Sequence, residues 1–356
     1  MKKKILVVDD SALMRRVMCD IINSDKRYEV ADTATNGLEA FDLLLLKSYD
    51  AVVLDINMPK MNGLQLLRKL QKFKIPAKVL VASTNASEGA KVTLDALELG
   101  ALDFVHIPDN SSECKENAFS SKLLSILEVV SNAKLSGFAD ADREEEKKVK
   151  EKEQPDEISK SATKKKVVAI ASSTGGPKAL QTVISQLPGN LNVPVLIVQH
   201  MPKGFTESLA ERLNALSGME VTEAAEGMVL KPGCVYLAMG GKHMNVHTSK
   251  GGEAIIHYSD EPNREGVKPC ANYMYESLAN SPFDEVVCVV MTGMGCDGTE
   301  GINNLKTKKK LFVIAQNQES CVVYGMPKSV VNAGLANRVV PLEKIAHEII
   351  LNVGVK

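Results

Sequence analysis

The 356-residue chain is predicted to be an α/β protein with two units. The first is a doubly wound, five-stranded parallel sheet, and the second is an α/β parallel-sheet domain carrying a small hairpin. Three observations lead there. Short, continuous apolar runs alternate with helix-length segments from residue 5 to about 130, which is how strands buried on both faces read. The same alternation resumes near residue 165. Between the two, residues 131–164 hold nine acidic and eight basic side chains among 34. Such a stretch cannot bury enough surface to offset the entropy of ordering it.

In the first unit, Ile5-Leu6-Val7-Val8 reads as a strand, and Ser11 caps a helix from Ala12 to about Asn23. A strand at 28–31, a helix at 37–46 and a strand at 51–54 follow. Helix 63–72, strand 78–82, helix 88–99, strand 102–106 and helix 116–130 complete five β-α repeats. In the second unit, strands are expected at 166–171, 194–199, 286–291 and 311–315, with helices between. Residues 219–258 are Gly-rich and helix-poor, which suggests a hairpin insertion. The expected boundaries are 1–130, a charged linker at 131–164, and 165–356. An exposed Glu/Lys helix is the alternative for the linker.

Composition excludes several classes. With 43 basic and 44 acidic side chains the formal net charge is −1, so electrostatics gives no reason to expect nucleic acid or anionic membrane as partner. The seven cysteines are scattered without a C-x-x-C pair, which suits reduced thiols better than a disulfide or zinc framework. The apolar run after the N-terminal lysines is too short for a signal peptide or a membrane span. The expectation is a cytoplasmic monomer without membrane insertion.

Carboxylates carry the chemistry of the first unit. Asp9 and Asp10 follow the first strand and Asp55 follows the third, and these strands are neighbours in a doubly wound sheet. Like charges packed together need a cation, and an all-oxygen site favours Mg²⁺. A carboxylate beside Mg²⁺ can attack a phosphoryl group, and Ser83 at the end of the fourth strand can hydrogen-bond the product. Taken singly, each Asp reads better as a turn former; three on adjacent strand ends read as a site. Val7-Val8-Asp9-Asp10 and the run from Asp55 to Gly63 (DINMPKMNG) resemble the receiver domain of two-component response regulators over about residues 4–128. The resemblance implies a flavodoxin-like fold with Asp55 as phospho-acceptor and a histidine kinase as phosphodonor. It also implies Mg²⁺ on Asp10, Asp55 and the Asn57 carbonyl, with Asp9 in the same pocket. Phe104 stands at the usual switch-aromatic position. One departure matters: Ile107 stands where receivers carry a Lys before Pro108. Weakened phosphorylation, or a signal transmitted differently, is the expected consequence.

The second unit offers a nucleophile. Strand Val167–Ile170 runs into Ala171-Ser172-Ser173-Thr174-Gly175-Gly176-Pro177 and then a helix, the pattern of a nucleophile elbow. The turn needs small residues two positions either side. Ser173 is flanked by Ala171 and Gly175, Ser172 by Ile170 and Thr174, so sterics select Ser173. The loop matches neither common phosphate-binding glycine pattern; a purely structural turn is the alternative. A serine nucleophile needs a base, and His200 ends an apolar strand. Asp297 lies in a Gly-rich turn after strand 286–291; it reads as the partner of a histidine or as a helix N-cap. His243 and His247 are four apart, but no carboxylate completes a metal set, so a structural use is expected.

The segments Ser172–Gly176, Gln199-His200-Met201-Pro202, Gly293–Gly298, Ala315-Gln316-Asn317 and Tyr324-Gly325-Met326-Pro327 resemble the chemotaxis protein-glutamate methylesterase family over about residues 166–350. The resemblance implies Ser173 as nucleophile, His200 as base and Asp297 as its orienter. Thr174 is placed beside the nucleophile, and the Met294 N–H at the oxyanion. The implied reaction is hydrolysis of glutamyl methyl esters, and deamidation of glutamines, on methyl-accepting chemotaxis receptors, with a chemotaxis histidine kinase controlling it through the receiver. No cofactor is implied for the hydrolysis. The family usually carries Gly-Ala before the nucleophile, where this chain has Ala171-Ser172. A small-molecule serine esterase and a non-enzymatic regulator are the alternatives.

Overall fold

In a computed structural model, the structure describes residues 1–83, 87–107, 117–133 and 164–355. Most of the charged segment thus lies outside the described residues. The first sheet comprises β1 (Lys3–Val8), β2 (Tyr28–Ala34), β3 (Ala51–Asp55), β4 (Val79–Ser83) and β5 (Asp103–His106). It is parallel, in the order β2-β1-β3-β4-β5. Helices α1 (Ala12–Ser24), α2 (Gly37–Leu46), α3 (Gly63–Lys72), α4 (Ser87–Glu98) and α5 (Asn117–Asn132) connect the strands and close the unit. Strand β2 runs three residues past the expected end because the backbone of Asp32, Thr33 and Ala34 pairs with Leu6, Val7 and Val8. Helix α5 likewise continues past residue 130.

The local chemistry explains the helix starts. The Ser11 hydroxyl accepts from Met14 N, and the Asn36 side chain accepts from Leu38 N and Glu39 N. Asn62 and Gln65 form a reciprocal capping box. Such caps satisfy donors that a helix start leaves without partners, contributing about 1 kcal/mol each.

The second sheet has seven parallel strands in the order β14-β13-β12-β6-β7-β9-β8. They are β6 (Lys166–Ser172), β7 (Val195–Gln199), β8 (Glu220–Glu223), β9 (Cys234–Leu237), β12 (Glu285–Val290), β13 (Lys310–Gln316) and β14 (Arg338–Val340). A hairpin of β10 (His243–Thr248) and β11 (Ala254–Ser259) lies apart. The expected hairpin region is therefore only part hairpin: β8 and β9 extend the main sheet beyond β7. Their four-residue lengths explain why pattern reading misses them. Helices α6 (Gly176–Ile184), α7 (Phe205–Leu216), α8 (Ala271–Ser277), α9 (Thr299–Lys306), α10 (Met326–Asn332) and α11 (Leu342–Val353) flank the sheet. No helix among the described residues is long and apolar enough to cross a membrane.

Helix α4 packs on α7 and α6, which brings the two units together. One buried apolar cluster holds residues of both, among them Leu94, Leu97 and Phe104 from the first and Phe205 and Leu209 from the second. Phe104 stacks on Phe205 with ring centroids 4.7 Å apart. Around this patch, Arg212 bonds Asp95 at 2.7 Å and Glu98 through both ends of its guanidinium, and Lys91 meets Glu211 at 3.1 Å. Exposed ion pairs contribute little; the desolvated apolar contact supplies most of the adhesion, with the charges setting register.

Candidate active sites

In the first unit, Asp9 and Asp10 leave the end of β1, and Asp55 is the last residue of β3. Carboxylate oxygens of all three lie within 4.8 Å of one another. Asp9 is buried, and its carboxylate accepts from Ser11 N at 2.8 Å. Burial and the neighbouring Asp55 charge push its pKa up to about 7. Burial also raises Asp55, against N–H donors from Ile56 and Asn57. Three oxygens this close, with the charged forms of Asp9 and Asp55 disfavoured, suit a hard divalent cation. Ser83 is buried, and its hydroxyl accepts from Thr93 Oγ1 at 2.7 Å. Ile107 is buried in the apolar cluster with Ile5, Val7 and Phe119, so it supplies no cation to the pocket. Phe104 is held by Phe205 of the other unit.

In the second unit, the register of β6 and β7 aligns Ser172 with Gln199, so Ser173 and His200 both lie one step beyond the paired strand ends. The two serines part here. Ser172 is fully buried and donates to Gln199 Oε1 at 2.7 Å; Ser173 is half-buried, at the surface of the turn. Ser173 N donates to Thr292 O at 3.0 Å, which joins the elbow to the end of β12. A Cβ on Gly293 would lie 2.7 Å from Ser173 Cβ and 2.4 Å from Met326 Sδ, so only glycine admits the serine there.

His200 Nε2 meets Asp297 Oδ2 at 2.7 Å. Asp297 is no N-cap: Gly298 occupies that position of α9. Its carboxylate accepts from Ala271 N (2.6 Å), Asn272 N (2.9 Å) and the Cys270 thiol (3.0 Å) instead. Burial works against its charge, but His200 and these donors outweigh burial and hold it below the ordinary carboxylate range. Among the described residues, no hydrogen bond joins Ser173 Oγ to His200. Because Nε2 faces Asp297, Nδ1 is the nitrogen left for the serine. Such bonds often tighten only with substrate bound.

The Gly293 N–H is spent on Val323 O, whereas the Met294 N–H has no backbone acceptor among the described residues. The Met294 side chain is exposed, and its sulfur accepts from Ser125 Oγ of the first unit at 3.8 Å. Thr174 Oγ1 donates to Asp103 Oδ2 at 2.5 Å. Burial raises the pKa of Asp103, against the pull of that hydroxyl. The first unit thus sits on both residues flanking the candidate centre.

The two histidines have different surroundings. His243 is buried with Nδ1 accepting from Cys270 N, while His247 stacks on His257 in the hairpin. Sequence reasoning assigned no role to Gln199, Asn272 or Gln316. All three are buried polar side chains spanning loops; long sequence separation hid them. Asn272 Oδ1 accepts from Gly298 N and Gly301 N, and Gln316 Oε1 from Thr292 N.

A carboxylate pocket on a five-stranded doubly wound sheet, joined to a parallel-sheet unit with serine, histidine and aspartate at its strand ends, defines a receiver-linked α/β hydrolase. The family models described as CheB methylesterase and as response regulator receiver domain match residues 168–349 and 5–117. The chain belongs to the CheB methylesterase family. It is 40% identical to the protein-glutamate methylesterase/protein-glutamine glutaminase of Bacillus subtilis, over 97% of each chain. It is 39% identical to the protein of that name from Pyrococcus abyssi, over 98% of this chain and 93% of the relative. The crystal structure of the Thermotoga maritima CheB methylesterase catalytic domain is similar to 53% of this chain and 99% of its own, at 40% identity and a TM-score of 0.51.

Proposed function

We propose that the chain is a phosphorylation-gated protein-glutamate methylesterase and glutaminase acting on methyl-accepting chemotaxis receptors, with Ser173, His200 and Asp297 as its catalytic residues. The observation that carries the site is the buried Asp297 on His200 at the strand end beside Ser173. His200 Nδ1 takes the Ser173 proton as Oγ attacks the ester carbonyl. The negative charge on His200's partner stabilises the imidazolium that forms. The Met294 N–H binds the oxyanion. His200 then gives its proton to the leaving methoxide, releasing methanol, and water cleaves the acyl-enzyme by the reverse proton path. With a glutamine the leaving group is ammonia.

Gating follows from the contact between units. Asp103 on Thr174, Ser125 on Met294 and the α4–α7 packing support a receiver that covers the substrate approach. Phosphorylation of Asp55 by a chemotaxis histidine kinase shifts the population toward an open arrangement. Asp10, Asp55 and the Asn57 carbonyl would hold Mg²⁺, which supplies charge neutralisation for phosphoryl transfer. The test is methanol release from methylated receptor fragments, with and without a small phosphodonor. Asp103→Ala with Arg212→Ala is expected to raise release by the unphosphorylated chain severalfold and to shrink the response to phosphodonor. Basal release unchanged by that pair would refute the gate. Since Ile107 replaces the lysine, a normal phosphodonor response would show that the signal reaches the interface without it.

The pocket makes a pH prediction. Asp9 is raised from 3.8 to about 7, so the folded receiver binds this proton more tightly than the unfolded chain. Its ionisation therefore costs nothing well below pH 4, destabilises progressively between about pH 4 and 7, and costs fully above. Mg²⁺ is expected to raise the melting midpoint of the receiver much more at pH 8 than at pH 5. Equal shifts at both values would contradict this account of the pocket.

A further inference from the structure

The hydroxyl of Ser172 has no part in the reaction above, yet it is fully buried beside the candidate nucleophile. Its surroundings are specific. Ser172 is fully buried and Gln199 is 2% exposed. Ser172 Oγ donates to Gln199 Oε1 at 2.7 Å, and Gln199 Nε2 donates to Ser173 O at 2.9 Å and His200 O at 3.3 Å. One buried amide therefore grips the main chain of the candidate nucleophile and of the candidate base together. The backbone adds a second tie, from His200 N to Ser172 O at 3.1 Å.

The amide has one workable orientation. Turned over, its oxygen would face two carbonyl oxygens. In the observed orientation Oε1 needs a donor, because a buried acceptor left without one is costly. Ser172 is that donor. Room for the amide comes from Gly176, where a Cβ would lie 2.0 Å from Gln199 Oε1. The arrangement thus combines a glycine gap, an amide in it, and a hydroxyl that completes the amide.

We propose that Ser172 is a positioning residue that acts through Gln199 to hold Ser173 and His200 at their working separation. Without the hydroxyl, the amide relaxes to find another donor and slackens its hold on both carbonyls. Displacements of about 1 Å can cost about 10²-fold in rate, so a shift of tenths of an ångström should cost a few-fold. Such a loss falls on the chemical step and leaves substrate binding alone.

The inference rests on the reading of Ser173 and His200 given above. The full-length chain, with phosphodonor, is assayed for methanol release alongside its melting midpoint. Ser172→Ala is expected to lower kcat about three- to tenfold with KM within about twofold of the parent. Gln199→Met is expected to lower kcat at least as far. The double variant should match Gln199→Met, since Ser172 acts only through that amide. Parental kcat in Ser172→Ala, or losses that multiply in the double variant, overturn the proposal. If Gln199→Met does not fold, Ser172→Cys replaces it: cysteine fills the space but is a weak donor. A kcat near that of Ser172→Ala then supports the proposal, and parental kcat overturns it. Ser173→Ala in the same assay separates the two readings, because release surviving that change refutes the site itself.

Discussion

Ser173→Ala is expected to abolish methyl release, with kcat falling about 10³- to 10⁶-fold. The size follows from the role: no neighbouring group replaces the oxygen that forms the acyl bond. Ser172 is fully buried and committed to Gln199, so it cannot take over. Because Ser173 is half-buried and the change keeps its Cβ while removing only the hydroxyl, the melting midpoint should stay within about 1 °C of the parent, as for surface changes generally. Methanol release together with thermal unfolding checks both parts. Activity above about a hundredth of the parent would remove Ser173 from the centre of the mechanism.

Asp297→Asn should lower kcat by about 10⁴-fold, comparable to losing the orienting carboxylate of a serine–histidine–aspartate triad elsewhere. The cradle explains why an isosteric change is severe. Asp297 Oδ1 accepts from Asn272 N and the Cys270 thiol, and Oδ2 from Ala271 N and His200. Each oxygen faces a backbone N–H, so the new amide NH₂ meets a donor whichever way it turns. If it faces His200, the ring must accept at Nε2 and carry its proton on Nδ1, the wrong nitrogen for a base acting on Ser173. If it faces Oδ1's donors, the Asn272 N–H meets another donor and the Cys270 thiol loses its acceptor. Unlike Ser173→Ala, this variant should therefore also lose stability, by about 1–3 kcal/mol for the unsatisfied buried donors. Melting unchanged from the parent would mean that the cradle is not rigid.

Much of this was legible in the residues. The apolar runs of β1, β3, β4, β6 and β12 announce themselves because a strand covered on both faces has little choice but Val, Ile, Leu and Ala. Ser173 was separable from Ser172 by the sizes of Ala171 and Gly175 alone, since a tight turn is a local steric problem. His200 and Asp297 were readable as strand-end residues because parallel sheets gather their chemistry at one edge. The strands β8, β9 and β14, at the two ends of the second sheet, were not readable. They are three or four residues long, and their pairing with β9, β7 and β13 is decided by partners, not by their own pattern.

The sequence by itself determined the two α/β units and the charged segment between them, and it singled out the carboxylates of the receiver pocket and the three residues proposed for catalysis. Each is a matter of local sterics, apolar periodicity or position at a strand end. Only the tertiary structure decided which nitrogen of His200 faces Asp297, that α8 supplies the N–H groups holding that carboxylate, and that Gln199 ties nucleophile to base. Asp103, 71 residues before Thr174, reaches it only through the packing of α4 on α7. These arrangements depend on contacts between residues far apart in the chain. Their energies come from desolvation and donor–acceptor geometry that exist only once the sheets have packed.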